Sequence, residues 1–193
     1  MRTPDYPVHT SILERWSPRA FAAGAMPETD LLTILEAGRW APSAFNAQPW
    51  RFIWALRGDA AWERLLGVLV PFNRSWAEKA AALVVFVSDT QTENAKTGEL
   101  APSHSHSFDT GAAWAMMALQ AGHLGYHAHG MTGVDFDAAQ RELAVPERFR
   151  VEAAAAFGRI GDPASLPEGL RAREAPSGRR PFGEIAFHGR FGT

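Results

Sequence analysis

The chain has 193 residues, 46% of them hydrophobic, no cysteine and a formal net charge of −2. These values are typical of one globular domain, exclude thiol nucleophiles, disulfides and thiolate zinc sites, and leave no positive surplus for binding nucleic acid. The longest strongly apolar run, 80–87, is much too short to cross a bilayer, and the N-terminus has no apolar stretch of the signal-peptide type. We therefore expect a cytoplasmic protein that partners neither nucleic acid nor membrane.

The apolar spacing predicts helices that alternate with strands, without an internal repeat or linker. A short helix over 12–16, capped by Thr10 or Ser11, is expected to end at Pro18. The further predicted elements are a helix from Pro27 to Pro42, a strand at Arg51–Leu56, a helix containing Trp62, Leu65, Leu66 and Leu69, a strand at Ala82–Ser88, a helix at Asp109–Leu124, a strand near Tyr126–Gly130, a helix at Asp135–Leu143 and a strand at Glu152–Gly158. The pattern predicts a single α+β or α/β domain over residues 1–193, with helices on a small sheet.

Three segments of this pattern are unusual. The helix at 109–124 is apolar around most of its circumference, which predicts burial on all sides, either centrally or against a partner. Residues 89–104 are polar and are predicted to form a mobile surface segment or lid. Beyond Asp162 the pattern loosens, yet Phe182, Phe187 and Phe191 would form a sticky patch if they were exposed together. We therefore expect this C-terminal extension, about 163–193, to lie across the body or across a second subunit.

A polar loop bracketed by two prolines connects the second helix to the first strand. Pro42 and Pro49 exclude helix and strand through this stretch, which displays Ser43, Asn46 and Gln48. Such a stiff loop suits holding a polar ligand in a fixed pose. It is equally typical of an ordinary connection whose side chains cap their own backbone.

Arginine residues cluster at both ends of the chain. Arg15, Ser17 and Arg19 lie at a helix end, and Arg179 and Arg180 lie in the tail. If the two ends meet, three or four positive groups converge, enough to hold a phosphate dianion. The alternative is that they are solvated arginines that pair with nearby glutamates and contribute little.

Two His-x-His pairs raise the question of a metal. His104 with His106, and His127 with His129, could each place two imidazoles on one face of a strand. Neither segment has a nearby Asp or Glu to complete a ligand set, so no metal site is predicted.

Short motifs occur in a fixed order along almost the whole chain. They are Arg15–Arg19 (RWSPR) followed by Phe21, Ala41–Trp50 (APSAFNAQPW), Phe72–Trp76 (FNRSW), Val84–Val87 (VVFV), Asp109–Ala113 (DTGAA), Met131–Gly133 (MTG), Gly158–Asp162 (GRIGD) and Arg179–Phe182 (RRPF). Each motif is weak alone, but the ordered set resembles the nitroreductase family of flavoproteins.

The resemblance implies an α+β fold with a central, mainly antiparallel sheet flanked by helices, in an intertwined homodimer. It implies non-covalent FMN between the two subunits, and NADH or NADPH as the reductant. It further implies ping-pong hydride transfer, through flavin N5, to a small electrophile such as a nitroaromatic, quinone, enone or aldehyde. No catalytic side chain is implied, because the flavin carries the chemistry.

Each motif acquires a place around the flavin through this resemblance. The phosphate is assigned to Arg15, Ser17 and the tail arginines, the N1/C2-oxygen edge to Arg19, and the pyrimidine edge to Asn73. The proline-bracketed loop comes from the other subunit, and the backbone of 131–133 approaches N5 and O4. The implied cofactor-binding residues are Arg15, Trp16, Ser17, Arg19, Pro42, Ser43, Asn46, Asn73, Met131, Thr132, Gly133, Arg179 and Arg180.

Two positions depart from the commoner family pattern. Trp76 stands where several members have a lysine near the flavin edge, so Arg19 alone supplies that charge, and Ala44 replaces a serine. Phe45, Trp76 and Phe108 are candidates for lining the substrate side, although isolated aromatics are also typical of a core. Two other functions within the same fold stay open, namely flavin sequestration without turnover and oxygen-dependent degradation of the flavin.

Overall fold

The sheet is built around the most apolar segment of the chain. In the computed structural model, which describes residues 2–192, the β-branched run at 82–89 forms a strand whose eight residues are all buried. The helices are α1 (Thr10–Glu14), α2 (Glu28–Arg39), α3 (Trp62–Gly67), α4 (Pro71–Ala77), α5 (His106–His123), α6 (Phe136–Glu142) and α7 (Glu168–Arg171). The strands are β1 (Trp50–Leu56), β2 (Ala82–Asp89), β3 (Gln91–Glu93), β4 (Leu100–Pro102), β5 (His127–Met131) and β6 (Phe149–Gly158).

The main sheet has the strand order β1-β2-β6-β5, and each neighbouring pair is antiparallel. A bulge between Phe86 and Val87 shifts the register of β2 against β6 and increases the local twist. The pair β3–β4 forms a separate small antiparallel sheet. The predicted α+β fold, with an antiparallel sheet flanked by helices, is confirmed.

Two apolar cores lie on opposite faces of this sheet, because successive side chains of a strand point to opposite sides. Leu83, Val85 and Val87 join α3, α4 and α6 in one core. Val84 and Phe86 join α2 and α5 in the other. The sheet is thus the middle layer between two layers of helices.

The contact between α2 and α5 requires a glycine. A Cβ on Gly38 would lie 2.8 Å from Cγ of Met117 and 3.0 Å from Cζ of Phe52. A glycine inside a helix costs about 1 kcal/mol relative to alanine. Here it allows α2 to approach the central helix and the sheet closely.

Most predicted elements agree with the structure within a few residues, and the differences have local causes. His9, rather than Thr10 or Ser11, caps α1, since its Nδ1 accepts a hydrogen bond from the N–H of Ser11 at 3.3 Å. The helix predicted to contain Trp62 and Leu69 ends at Gly67, and a further helix that was not predicted, α4, begins at Pro71. The residue before Pro71 is extended, as is usual before a proline. The segment 89–104, predicted as a mobile lid, contains the hairpin β3–β4.

The helix α5 begins at His106, three residues earlier than predicted, and is buried on one side only. Met117 and Ala121 are fully buried, whereas Phe108 is 82% exposed and Met116 is 40% exposed. The sequence allowed burial of this helix either within its own chain or against a partner. The outer face of α5 is not buried within its own chain. No helix within residues 2–192 combines the length and apolarity needed to cross a membrane.

The tail, defined here as residues 163–192, packs on its own chain near the N-terminus. Leu170 is buried in the core, and the ring of Phe182 meets Tyr6 edge-on with centroids 5.0 Å apart. Phe187 contacts Phe191 at 4.8 Å between centroids, but Phe191 stays 91% exposed. Leu170 and Phe182 thus contact the body of their own chain, whereas the last aromatic residue remains at the surface.

Candidate functional site

The arginine loop, defined as residues 15–20, follows α1 directly and runs along β5. Pro18 cannot continue a helix, and Arg15 already has an extended backbone at φ −60°, ψ 123°. The Nδ1 atom of His129 lies 2.9 Å from the carbonyl oxygen of Pro18. Because a carbonyl only accepts, this nitrogen carries the proton and donates. The ring of Trp16 contacts His127 edge-on with centroids 6.2 Å apart.

Both of these histidines are uncharged partners of the loop. Burial lowers the pKa of His127, and burial is also the largest cause of the lowered pKa of His129. Burial therefore favours the uncharged form of both imidazoles beside the arginine loop.

Arg2, which the sequence did not single out, joins the arginine loop to the tail. Its Nε donates to the carbonyl oxygen of Ser177 at 2.9 Å. Its Nη1 donates to the carbonyl oxygens of Leu13 and Arg15 at 2.9 and 2.7 Å. Burial lowers the pKa of Arg15, and the charges of Arg179 and Arg2 lower it further. The two ends of the chain therefore meet, which is the condition on which convergence of the arginines depended.

Among residues 2–192, these guanidinium groups have no carboxylate partner of their own. Within residues 2–192, the ion pairs do not include Arg2, Arg15 or Arg179. Arg180 differs, since its side chain is 80% exposed and Nη1 lies 3.9 Å from Glu184. Arg179 is thus the tail arginine that lies near the loop. Like charges held together without an anion form a ready site for a phosphate group.

A second contact joins two motifs that lie 60 residues apart. Nδ2 of Asn73, on α4, donates to the carbonyl oxygen of Gly133 at 3.1 Å, and the N–H of Val70 donates to the same oxygen at 3.1 Å. A Cβ on Gly133 would lie only 2.3 Å from Nδ2 of Asn73. The side chain of Met131 is buried, whereas Thr132 is exposed.

Arg19 lies between these two regions and is held by its backbone. Its N–H and that of Ala20 both donate to Oε1 of Glu174, at 2.6 and 2.8 Å. The Nε atom of Arg19 is buried and has no hydrogen-bond partner among the described residues. An unpaired buried donor is costly, and a ligand acceptor at this edge would satisfy it. The sequence offered no signal for Glu174, which lies 155 residues from Arg19.

The proline loop, defined as residues 42–49, has a strained backbone. Phe45, Asn46 and Gln48 have φ of 54°, 55° and 48°, in the left-handed region that disfavours non-glycine residues. The hydroxyl of Ser43 accepts from the N–H of Gln48 at 3.0 Å, so this side chain does cap its own loop. Phe45 is 98% exposed. Strain of this kind clusters at ligand-binding and interface segments.

Within one chain, the proline loop and the arginine loop lie at opposite ends of α5. Oδ2 of Asp109, near the start of α5, accepts from the N–H of Ala44 at 3.2 Å and from the hydroxyl of Ser105 at 2.8 Å. Arg15 instead lines a cavity of 390 Å³ together with Gly122, near the end of the helix. At 1.5 Å per residue, these helix positions are about 20 Å apart. A single chain therefore does not bring the two loops to one ligand.

Trp76 does not lie on a pocket wall, and its prediction as a substrate-lining residue is corrected here. It is 1% exposed, and its ring packs on Phe21 at 6.3 Å and on His129 at 4.5 Å between centroids. The size and apolarity of the ring place it in the core beneath the arginine loop. Phe45 and Phe108, the other two candidates, are both exposed.

The histidine pairs do not meet in a metal site among the described residues. No group of three or more His, Asp or Glu side chains in residues 2–192 is arranged to hold a metal ion. The Nδ1 atom of His106 instead lies 2.8 Å from the hydroxyl of Ser88.

Comparison with known proteins gives the class to which this fold and site belong. The family model described as the nitroreductase family matches residues 12–159. An uncharacterized 15.4 kDa protein of Mycolicibacterium smegmatis is 33% identical over 151 residues, which are 74% of this chain and 98% of that protein. The chain belongs to the nitroreductase family.

Solved structures and a further relative agree with that assignment. A crystal structure described as an oxidoreductase containing FMN is 47% identical, with a TM-score of 0.95 over 98% of this chain and 96% of that one. A protein of Desulfovibrio desulfuricans, described as a nitroreductase in complex with FMN, is 25% identical with a TM-score of 0.72, over 97% of this chain and 99% of that one. An NADH dehydrogenase of Thermus thermophilus is 35% identical over 91 residues, 47% of this chain and 43% of that protein.

Proposed function

We propose that the protein is an FMN-dependent oxidoreductase that works as a homodimer. NADH or NADPH is the reductant, and the acceptor is a small electrophile of the nitroaromatic, quinone, enone or aldehyde type. The observation that carries the proposal is the meeting of Arg2, Arg15 and Arg179 without a carboxylate partner within residues 2–192. The family membership and the FMN-containing relative at 47% identity support FMN as the ligand whose phosphate these arginines bind.

The residues present fit FMN, which supplies hydride-transfer chemistry when bound. Arg15 and Arg179, with Ser17 and the flanking Trp16, hold the single phosphate, for which no glycine-rich dinucleotide loop is needed. Arg19 fixes a positive charge at the N1/C2-oxygen edge, where it favours electron uptake. Asn73 offers its amide to the pyrimidine edge, and the backbone of 131–133 borders the N5 side.

The second subunit completes the site in this proposal. Two copies whose α5 helices pair in opposite directions would bring the proline loop of one copy, with Pro42, Ser43 and Asn46, to the arginine loop of the other. The exposed rings of Phe45 and Phe108 are then covered, and they line the side on which nicotinamide and acceptor bind in turn. Support comes from the 98% exposure of Phe45 and from the separation of the two loops within one chain.

The test begins with the absorbance spectrum of the purified protein and its affinity for added FMN. The protein should be yellow, and its flavin bands should bleach under anaerobic conditions when NADH or NADPH is added. A nitroaromatic, quinone, enone or aldehyde acceptor should then restore the bands. Colourless protein that does not bind added FMN would contradict the proposal.

Two other results would redirect the assignment within the same fold. Bound flavin that no nicotinamide reduces, across a panel of acceptors, would identify a sequestering protein. Loss of the bound reduced FMN in air, without another acceptor, would identify a flavin-degrading enzyme.

A further inference from the structure

The carboxylate of Glu174 is the point at which the tail holds the arginine loop. Its Oε1 accepts two backbone N–H groups, from Arg19 at 2.6 Å and from Ala20 at 2.8 Å. A carboxylate that accepts two amide hydrogens forms stronger bonds than a neutral acceptor does. Its other oxygen, Oε2, is buried and has no partner among residues 2–192. Glu174 is therefore committed to the loop backbone and does not neutralise an arginine side chain.

A second fastening lies a few residues further along the tail. The guanidinium of Arg2 bridges the carbonyl oxygen of Ser177 and that of Arg15. The two fastenings confine the tail segment 174–177 against the arginine loop. Arg179 follows directly, and its own guanidinium donates to the carbonyl oxygens of Ser177 and Gly178 at 3.3 and 2.8 Å.

This arrangement brings like charges together, so it must be held by other contacts. Guanidinium groups near each other repel, and a tail without fastenings would carry Arg179 away from Arg15. The carboxylate of Glu174 supplies such a contact, because it binds the backbone N–H groups of Arg19 and Ala20. It forms no ion pair with Arg15 or Arg179 within residues 2–192, so the guanidinium donors of both arginines stay available to an anion.

We propose that Glu174 is a positioning residue whose carboxylate fixes the tail to the backbone of Arg19 and Ala20 and so holds Arg179 beside Arg15. The proposal rests on the proposed function only for the identity of the anion, FMN. The attachment itself is a property of the protein without ligand, and it can be tested separately.

The binding test compares E174A and E174Q with the control E168A. Glu168 is exposed on the same tail, in α7, and no side-chain hydrogen bond of it is observed. In E174A the FMN dissociation constant should rise about tenfold, as expected for loss of hydrogen bonds to a charged group. Riboflavin, which lacks the phosphate, should lose less than about threefold. E174Q keeps an acceptor oxygen without the charge, so its FMN dissociation constant should lie between those of the wild type and E174A. E168A should bind FMN as the wild type does.

A double-mutant cycle with R179A tests whether Glu174 works through that arginine. If it does, E174A should change FMN affinity by less than about threefold once Arg179 is absent. Equal loss of FMN and riboflavin in E174A, or fully additive losses in the cycle, would overturn the proposal.

Hydrogen exchange followed by mass spectrometry tests the attachment without any flavin. The amides of Arg19 and Ala20 should be protected in the wild type and should exchange at least about tenfold faster in E174A, but not in E168A. Rapid exchange of these amides in the wild type would overturn the proposal even if E174A does not fold. Protein that binds no FMN yet shows the expected exchange would reject the proposed function and keep the attachment.

Discussion

A methyl group on Gly133 should displace Asn73 and weaken the protein at the centre of the candidate site. The added Cβ would lie 2.3 Å from Nδ2 of Asn73 and 2.9 Å from Cγ2 of Val70. Nδ2 must retreat by about 1 Å, which breaks its 3.1 Å bond to the carbonyl oxygen of Gly133. Overpacking of this kind costs about 1–3 kcal/mol, and the lost hydrogen bond adds about 1 kcal/mol.

Urea and thermal unfolding of G133A would measure this cost. For a domain of this size, each kcal/mol lowers the Tm by about 2–4 °C. G24A is the matched control, because a Cβ on Gly24 would meet nothing within 4 Å, and its stability should change by less than about 0.5 kcal/mol. In an N73A background the penalty of G133A should shrink by about 1 kcal/mol, since the clashing amide is gone. Wild-type stability of G133A, or an undiminished penalty beside N73A, would refute the reasoning.

The other predictions concern the core, the proline loop and the histidines. In urea unfolding, W76A should lower the free energy of unfolding by about 3–5 kcal/mol. W76F should lower it clearly less, because the buried Nε1 of Trp76 has no hydrogen-bond partner to lose among residues 2–192. An altered KM for the acceptor in W76F would argue against the place of Trp76 in the core. F45G should relieve about 1 kcal/mol of strain from the left-handed backbone at this position, which F45A keeps. Sedimentation should show that both variants shift the proposed dimer towards monomer. Unchanged dimers would contradict the role of Phe45. Burial lowers the pKa of His127 and His129 below the value of about 6.5 that they have in the unfolded chain. As the pH falls below about 6.5, the unfolded state therefore binds more protons than the folded state does. The free energy of unfolding should therefore fall between about pH 7 and pH 5, by at most about 1.4 kcal/mol per pH unit for each histidine, and an equal slope in H127F would count against this cause.

The architecture of the sheet could be predicted from local patterns. The continuous apolar run at 82–88 required a strand buried on both faces, and β2 is such a strand. Pro27 and Pro42 bounded the second helix, which spans Glu28–Arg39. These predictions succeeded because they depend on a few neighbouring residues, whose backbone geometry and apolar spacing are written along the chain.

The hairpin at 91–102 and the break between α3 and α4 were harder to predict. A three-residue strand such as Gln91–Glu93 is too short for a periodic signal. The apolar spacing of Leu65, Leu66 and Leu69 predicted one helix that includes Leu69, and no separate helix was predicted after Pro71. There the tertiary bridge between Leu69 and Val134 prevailed over local spacing.

For the candidate site, too, the residue types could be predicted from the sequence, but their contacts could not. The arginines, the proline loop, and Asn73 with Gly133 were all visible as short motifs, because they belong to the ordered set that resembles the nitroreductase family. Tertiary structure alone showed that Arg179 rather than Arg180 approaches the arginine loop, and that Trp76 is core.

By itself, then, the sequence determined the class of fold, the order of its elements and the residue types that could hold a phosphorylated ligand. The tertiary structure decided which of them meet, and it revealed Arg2 and Glu174 as the contacts that join the two ends of the chain. The physical reason is the separation along the chain over which each interaction acts. Helix and strand periodicity arise from neighbours a few positions apart, whereas a hydrogen bond between Glu174 and Arg19 exists only after the sheet and its helices have brought distant segments together.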